Sequence, residues 1–197
     1  MRTMPTTKLI QEIKNLIAEE KSRLEKEESK LNNNLVAGLD FSKSCPGICI
    51  LSKEAKKIIY KDKFKEKENT DFYFRMIEIK KWLGEILRTF KPSEIMLEAP
   101  FISPKTARSN TILLRTHGYI GHYIMSLGIK INMIAPSSAR AFLKIKPNKK
   151  EKAFEYVKEH FPELQLTDFK KDNDIADSVI VALSHYNPKK YSLNLMK

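Results

Sequence analysis

Four acidic residues stand where a folding chain ordinarily avoids charge. Asp40 ends the apolar run Leu35-Val-Ala-Gly-Leu, and Glu98 ends Ile95-Met-Leu, with Pro100 stopping the segment just beyond it. Asp174 and Asp177 open an apolar helical stretch that includes Val179, Ile180, Val181 and Leu183. Three residues apart on a helix, they share a face with β-carbons roughly 5–6 Å apart. A carboxylate left unpaired in an apolar setting is costly, so each of these acids needs a cation or a donor. Taken singly, each has a structural role open to it. Asp174 and Asp177 can cap a helix N-terminus, Asp40 can close a turn on the backbone of Ser42 or Lys43, and Glu98 can pair with a lysine. Taken together in a basic chain, four mutually repelling carboxylates point to hard divalent cations held by oxygen, a magnesium or manganese site.

The elements that must position these acids follow from the pattern of the chain. The 197 residues are 42% hydrophobic and 30% charged, enough for one core with an appendage and too polar for a mainly membrane protein. Nowhere do ~18 apolar residues run together, and no secretory leader is visible at the N-terminus, so a cytoplasmic protein with no membrane partner is expected. Cys45 and Cys49 fit neither a redox pair nor half a usual zinc site, and read as reduced thiols. Lys and Arg number 36 against 24 Asp and Glu, a formal charge of +12, which predicts a polyanionic partner. That charge is unevenly spread: residues 1–33 carry a net +1 and residues 34–197 a net +11.

Residues 1–33 place Leu9, Ile10, Ile13, Leu16, Ile17 and Leu24 at helical steps on a Lys/Glu background. They read as one amphipathic helix, either packed on its own domain or serving as a dimerisation or substrate-contacting arm, and Asn32-Asn-Asn34 end it. From 34 to 197 the pattern predicts an α/β domain. Strands are expected at 35–41, 48–51 and 57–64, a helix at 71–90, a strand at 94–99, a helix at 105–127, a strand at 129–135, and helices at 149–160 and 173–186. Three meander strands followed by strand–helix alternation imply a mixed five-stranded sheet with helices on its faces. In such an open sheet the site lies at the carboxyl ends of the strands, where Asp40 and Glu98 are expected to meet.

Gly38-Leu-Asp40, Glu98-Ala-Pro-Phe101 and Asp174-Ile-Ala-Asp177 followed by Ser-Val-Ile-Val-Ala-Leu-Ser-His resemble the RuvC-type Holliday-junction resolvases of the ribonuclease H-like superfamily, over about residues 35–186. The resemblance implies a Mg²⁺-dependent endonuclease, acting as a homodimer, that nicks two strands of a four-way DNA junction. It implies that Asp40, Glu98, Asp174 and Asp177 ligate the metal, with two ions activating the attacking water and stabilising the leaving oxygen. Phe101 matches an aromatic residue that stacks on or wedges between junction bases, and Lys150 a lysine near the scissile phosphate, with Lys149 beside it. Pro136-Ser-Ser-Ala-Arg140 resembles a Pro-x-x-Val-Lys motif, with Arg140 for the lysine. Arg108 and Arg115 on the second core helix are candidates for DNA backbone contacts, and Arg140 and Lys149 are also expected on DNA.

Two departures accompany the resemblance. Lys144-Ile-Lys-Pro-Asn148 replaces the usual Gly-rich loop, and the N-terminal helix is additional. With the Lys/Asn/Ile-rich composition, these fit a phage or mobile-element version that debranches replicated DNA. The competing readings are another ribonuclease H-like nuclease, acting on RNA–DNA hybrid, flap or fork, and a non-catalytic protein that binds branched DNA. His117 and His122, five apart, fall on different helix faces and are expected to pack or touch phosphate rather than bind metal. Trp82 is expected to be buried.

Overall fold

The computed structural model describes residues 6–42, 45–65, 71–100, 107–146, 150–188 and 191–192, the side chains of 6–10, 12–13, 28–33, 107–109 and 191–192 excepted. The chain divides into two units, Met1–Asn33 and Asn34–Lys197. The first contains one long helix, α1 (Thr6–Asn33), in which Leu16, Ile17 and Leu24 are exposed.

The second unit is built on β1 (Leu35–Asp40), β2 (Gly47–Ser52), β3 (Lys57–Lys63), β4 (Glu94–Glu98), β5 (Lys130–Ile134) and a short β6 (Tyr191–Ser192). They form a single sheet in the order β3-β2-β1-β4-β5-β6. β1 pairs antiparallel with β2 and parallel with β4, β4 is parallel to β5, and β6 returns antiparallel to β5. The mixed sheet is as expected, with β6 added as a sixth strand. Two residues pairing with Asn132 and Met133 leave no hydrophobic pattern to read.

Alternation along the strands sends successive side chains to opposite faces of the sheet. One face carries Ala37, Leu39, Ile48, Ile50, Ile95, Leu97 and Ile131 against helices α2 (Phe72–Phe90) and α3 (Ala107–Ser126). Their contributions, Met76, Ile79, Leu83, Ile86, Leu87, Ile120 and Ile124, recur at helical spacing and are almost wholly buried. The other face carries Val36, Cys49, Leu51, Met96 and Ile134 against α5 (Lys150–His160) and α6 (Phe169–Leu183). A short helix α4 (Pro136–Phe142), absent from the sequence expectation, starts at the proline that follows β5.

One boundary differs in a way that matters. The last helix begins at Phe169 rather than at residue 173, because Asp168 is its N-cap, accepting from the Lys170 amide at 2.7 Å. Asp172 accepts from the amides of Thr167 and Asp168 and from the Thr167 hydroxyl. Burial opposes the charge on Asp172, but these donors hold its carboxyl below the usual range. Asp168 and Asp172 therefore do the capping, and Asp174 and Asp177 lie in later turns, where capping does not explain them.

Candidate active site

Strand parity decides which way the acids point. In β1, Val36 and Gly38 face α6, so Asp40, two residues further on, does the same. In β4, Met96 faces α6, so Glu94 and Glu98 share its side. Because β1 and β4 are neighbouring parallel strands with Leu39 opposite Leu97, Asp40 and Glu98 end side by side at the carboxyl edge.

Two glycines then let α6 come down onto that edge. A Cβ on Gly38 would stand 2.2 Å from the Ser178 carbonyl oxygen and 2.5 Å from the Ala182 nitrogen. A Cβ on Gly47 would stand 2.2 Å from the carbonyl oxygen of Asp174. Only residues without a side chain permit so close an approach of helix to sheet. Gly47 pairs with Asp40, so the backbone of Asp174 rests over the start of β2 and Asp177, nearly one turn on, reaches the acids. Cys49 tightens the seam, its thiol donating to the Ser178 carbonyl at 3.3 Å. Burial pushes that thiol up to about 12, which leaves Cys49 unreactive, and both cysteines are free.

The assembled acids perturb one another. Burial first, then the charges of Glu98 and Asp177, hold the carboxyl of Asp40 well above its ordinary range, with Lys150 opposing. Burial, then Asp177, raises Glu98 to about 7 against the pull of Arg140 and Lys150. Asp174 is raised by burial and by Asp177, with Lys63 and Lys150 opposing. Such mutual perturbation in one cluster is a mark of functional sites. Asp177 is the most engaged of the four. Arg140 Nη2 lies 3.1 Å from its Oδ1 and Lys150 Nζ 3.2 Å from its Oδ2.

The structure thus brings Asp40, Glu98, Asp174, Asp177, Lys150 and Arg140 together. Arg140, expected on DNA, has a side chain only 9% exposed and is turned inward onto Asp177. Arg115 is exposed on α3, and Phe101, the Arg108 side chain and Lys149 lie outside the described residues. Lys63 was not anticipated. It pairs with Gly47 at the end of β3, donates to the Lys171 carbonyl, and acts electrostatically on Asp174, a placement visible only once strand register is known. His117 packs edge-on against Phe41 at 5.4 Å, and burial lowers it to about 4, so it is neutral and no phosphate-binding cation. His122 is exposed. Trp82 is half-buried, its indole donating to Asp62 at 2.8 Å.

The donor set suits a hard divalent cation, since four carboxylates whose charges oppose one another supply oxygen ligands alone. Among the described residues, however, no three acidic, histidine or cysteine side chains are gathered closely enough to enclose an ion as they stand. The acids are near enough to raise one another's proton affinity, while Lys150 and Arg140 reach in among them.

No family model matches the sequence, and no curated protein does. Among solved structures the chain is similar to Thermus thermophilus RuvC, with a TM-score of 0.62 at 19% identity over 81% of this chain and 99% of that one. The same enzyme in complex with Holliday junction substrate gives 0.61 at 18% identity over the same shares. The yeast mitochondrial Holliday junction resolvase gives 0.50 at 19% identity, over 79% of this chain and 82% of that one. The fold is therefore that of the RuvC-type resolvases, ribonuclease H-like, as the motifs implied.

Proposed function

We propose that this chain is a divalent-metal-dependent DNA endonuclease that resolves four-way junctions by paired nicks. The observation that carries the reading is the convergence of Asp40, Glu98, Asp174 and Asp177 on the α6 side of the sheet's carboxyl edge, three of them with raised proton affinity. Similarity of fold to the Thermus enzyme, seen there with Holliday junction substrate, supports the substrate class. The net +11 of residues 34–197 supports it too, since it attracts phosphate with salt-sensitive affinity.

Asp40, Glu98, Asp174 and Asp177 would hold the ions, magnesium with manganese as substitute. When bound, the metal supplies Lewis acidity toward phosphate and lowers the pKa of water. The protein contributes placement: β1 and β4 hold two acids rigidly from below and α6 two from above. Arg140 orients Asp177 from 3.1 Å in a buried pair, and removing either partner would strand the other. Lys150, 56% exposed on a flexible stem, would meet a phosphate oxygen of bound DNA.

A homodimer fits a symmetric junction. Leu114 and Gly118 on α3 are exposed and share a face with Gly121, and neither glycine position has an atom within 4 Å of a would-be Cβ, room for a second copy's helix. No helix among the described residues is long and apolar enough to cross a membrane.

A synthetic mobile four-way junction, linear duplex, flap, fork and RNA–DNA hybrid, each incubated with Mg²⁺, test the assignment. Preferential, paired cutting of the junction is expected. Asp40→Asn and Asp177→Asn should each abolish cutting while retaining junction binding in Ca²⁺. Unimpaired cutting by either variant would remove the site, preference for hybrid or flap would move the chain to another nuclease class, and binding without cutting would make it an architectural protein.

A further inference from the structure

The two cations on Asp177 are held very differently. Arg140 is fixed: its side chain is 9% exposed, and its carbonyl accepts the amides of Leu143 at 3.1 Å and Ile145 at 2.9 Å, closing the turn after α4. Its guanidinium takes Oδ1 of Asp177 and leaves Oδ2 as the oxygen open to another partner. Lys150 takes that oxygen from the first residue of α5, on a flexible stem that is 56% exposed. The remainder of α5 is anchored independently through Ala153, Phe154 and Val157, so the ammonium can leave without moving the helix.

An ammonium is a compact point charge with three donors and suits an oxygen-rich cluster much as a small metal ion does. Asp40 and Glu98 both feel the charge of Lys150 in addition to Asp177, which places it electrostatically at the centre of the acids rather than on one of them. Among the described residues, meanwhile, no three of these acids are gathered closely enough to hold an ion.

We propose that Lys150 is a built-in stand-in for a divalent cation: it occupies Oδ2 of Asp177 in the DNA-free protein, and metal binding displaces it toward solvent, where it would meet a phosphate of bound DNA. The proposal rests on the reading that these acids bind metal. It assigns Lys150 two successive partners, an acid before the ion arrives and DNA afterwards, and it makes metal affinity without DNA weaker than the acids alone would give.

Titrating Mn²⁺ into the full-length, DNA-free protein by calorimetry tests it, with Lys150→Gln beside Lys152→Gln, an equal loss of charge on the same helix. Lys150→Gln should bind Mn²⁺ roughly 5- to 10-fold more tightly than the parent, while Lys152→Gln stays within about twofold. Circular dichroism should show both variants folded, since both side chains are exposed. Unchanged affinity in Lys150→Gln, or equal tightening in both variants, overturns the stand-in and leaves the metal site intact. Absence of Mn²⁺ binding in all three proteins overturns the metal site and the stand-in with it.

Discussion

Strand β4 carries a glutamate at each end, on the same face, and the two have opposite fates. Glu94, at the amino end, accepts from Asn132 of the neighbouring strand and lies 2.9 Å from His185 Nδ1, just beyond α6. Its side chain is 12% exposed and its charge has dedicated partners. Glu98, at the carboxyl end, makes no hydrogen bond through its carboxylate among the described residues, and faces Asp177 instead. An acid buried with donors stabilises a fold, whereas an acid buried among acids is held at a cost that folding alone does not explain. Residue type, strand and face are shared, so the difference lies entirely in what the tertiary structure sets opposite each end.

Substitutions at the two ends should separate these roles, and the largest effect is expected at Glu98. Glu98→Gln should lower junction cleavage at least a hundredfold and, in metal-free buffer near pH 8, raise the melting temperature by removing a repelled charge. The same substitution should flatten the pH dependence of stability. Because the folded Glu98 carboxyl is raised to about 7 from 4.5, its contribution is fully present below about pH 4.5 and is lost as pH climbs through 7. That loss is on the order of 3 kcal/mol, readable in urea melts between pH 5 and 8. A variant that keeps both the parent's activity and its pH profile would contradict the distinction.

Gly38→Ala should come next, destabilising by about 1–3 kcal/mol or more because the new methyl meets the α6 backbone rather than a movable side chain. By lifting α6 from β1 it should also weaken cleavage, without removing any acid. At the amino end, Glu94→Ala should cost about 1–3 kcal/mol through the lost contacts with Asn132 and His185, with cleavage per folded molecule unchanged. The smallest effect is expected from removing residues 1–33, which should leave cleavage within a few-fold. A loss of dimer mass on sedimentation would instead make that helix the dimerisation arm.

Much of the site was legible because its acids violate burial rules that strand patterns reveal. Asp40 and Glu98 stood out as charges at the ends of apolar runs, and both sit where those runs placed them. The spacing of Asp174 and Asp177 suits a capped helix start as well as a ligand pair. Asp168 and Asp172 settle that by occupying the start themselves. Arg140 matches the basic position of the resembled Pro-x-x-Val-Lys motif, and nothing in its local sequence marks it as turned inward onto Asp177. Lys63 carries no mark in the sequence, because its approach to Asp174 depends on a strand register that no local pattern encodes.

The sequence by itself determined the five longer strands, the main helices and the four acids, because periodicity and apolar burial are local properties read over a few residues. What only the tertiary structure decided is who stands opposite whom: Gly38 and Gly47 admitting α6, Arg140 committed to Asp177, Lys150 lodged among carboxylates, and Glu94 satisfied while Glu98 is not. Those pairings join residues distant along the chain, and electrostatic energies depend on separation in space and on burial, which the linear order of residues does not carry.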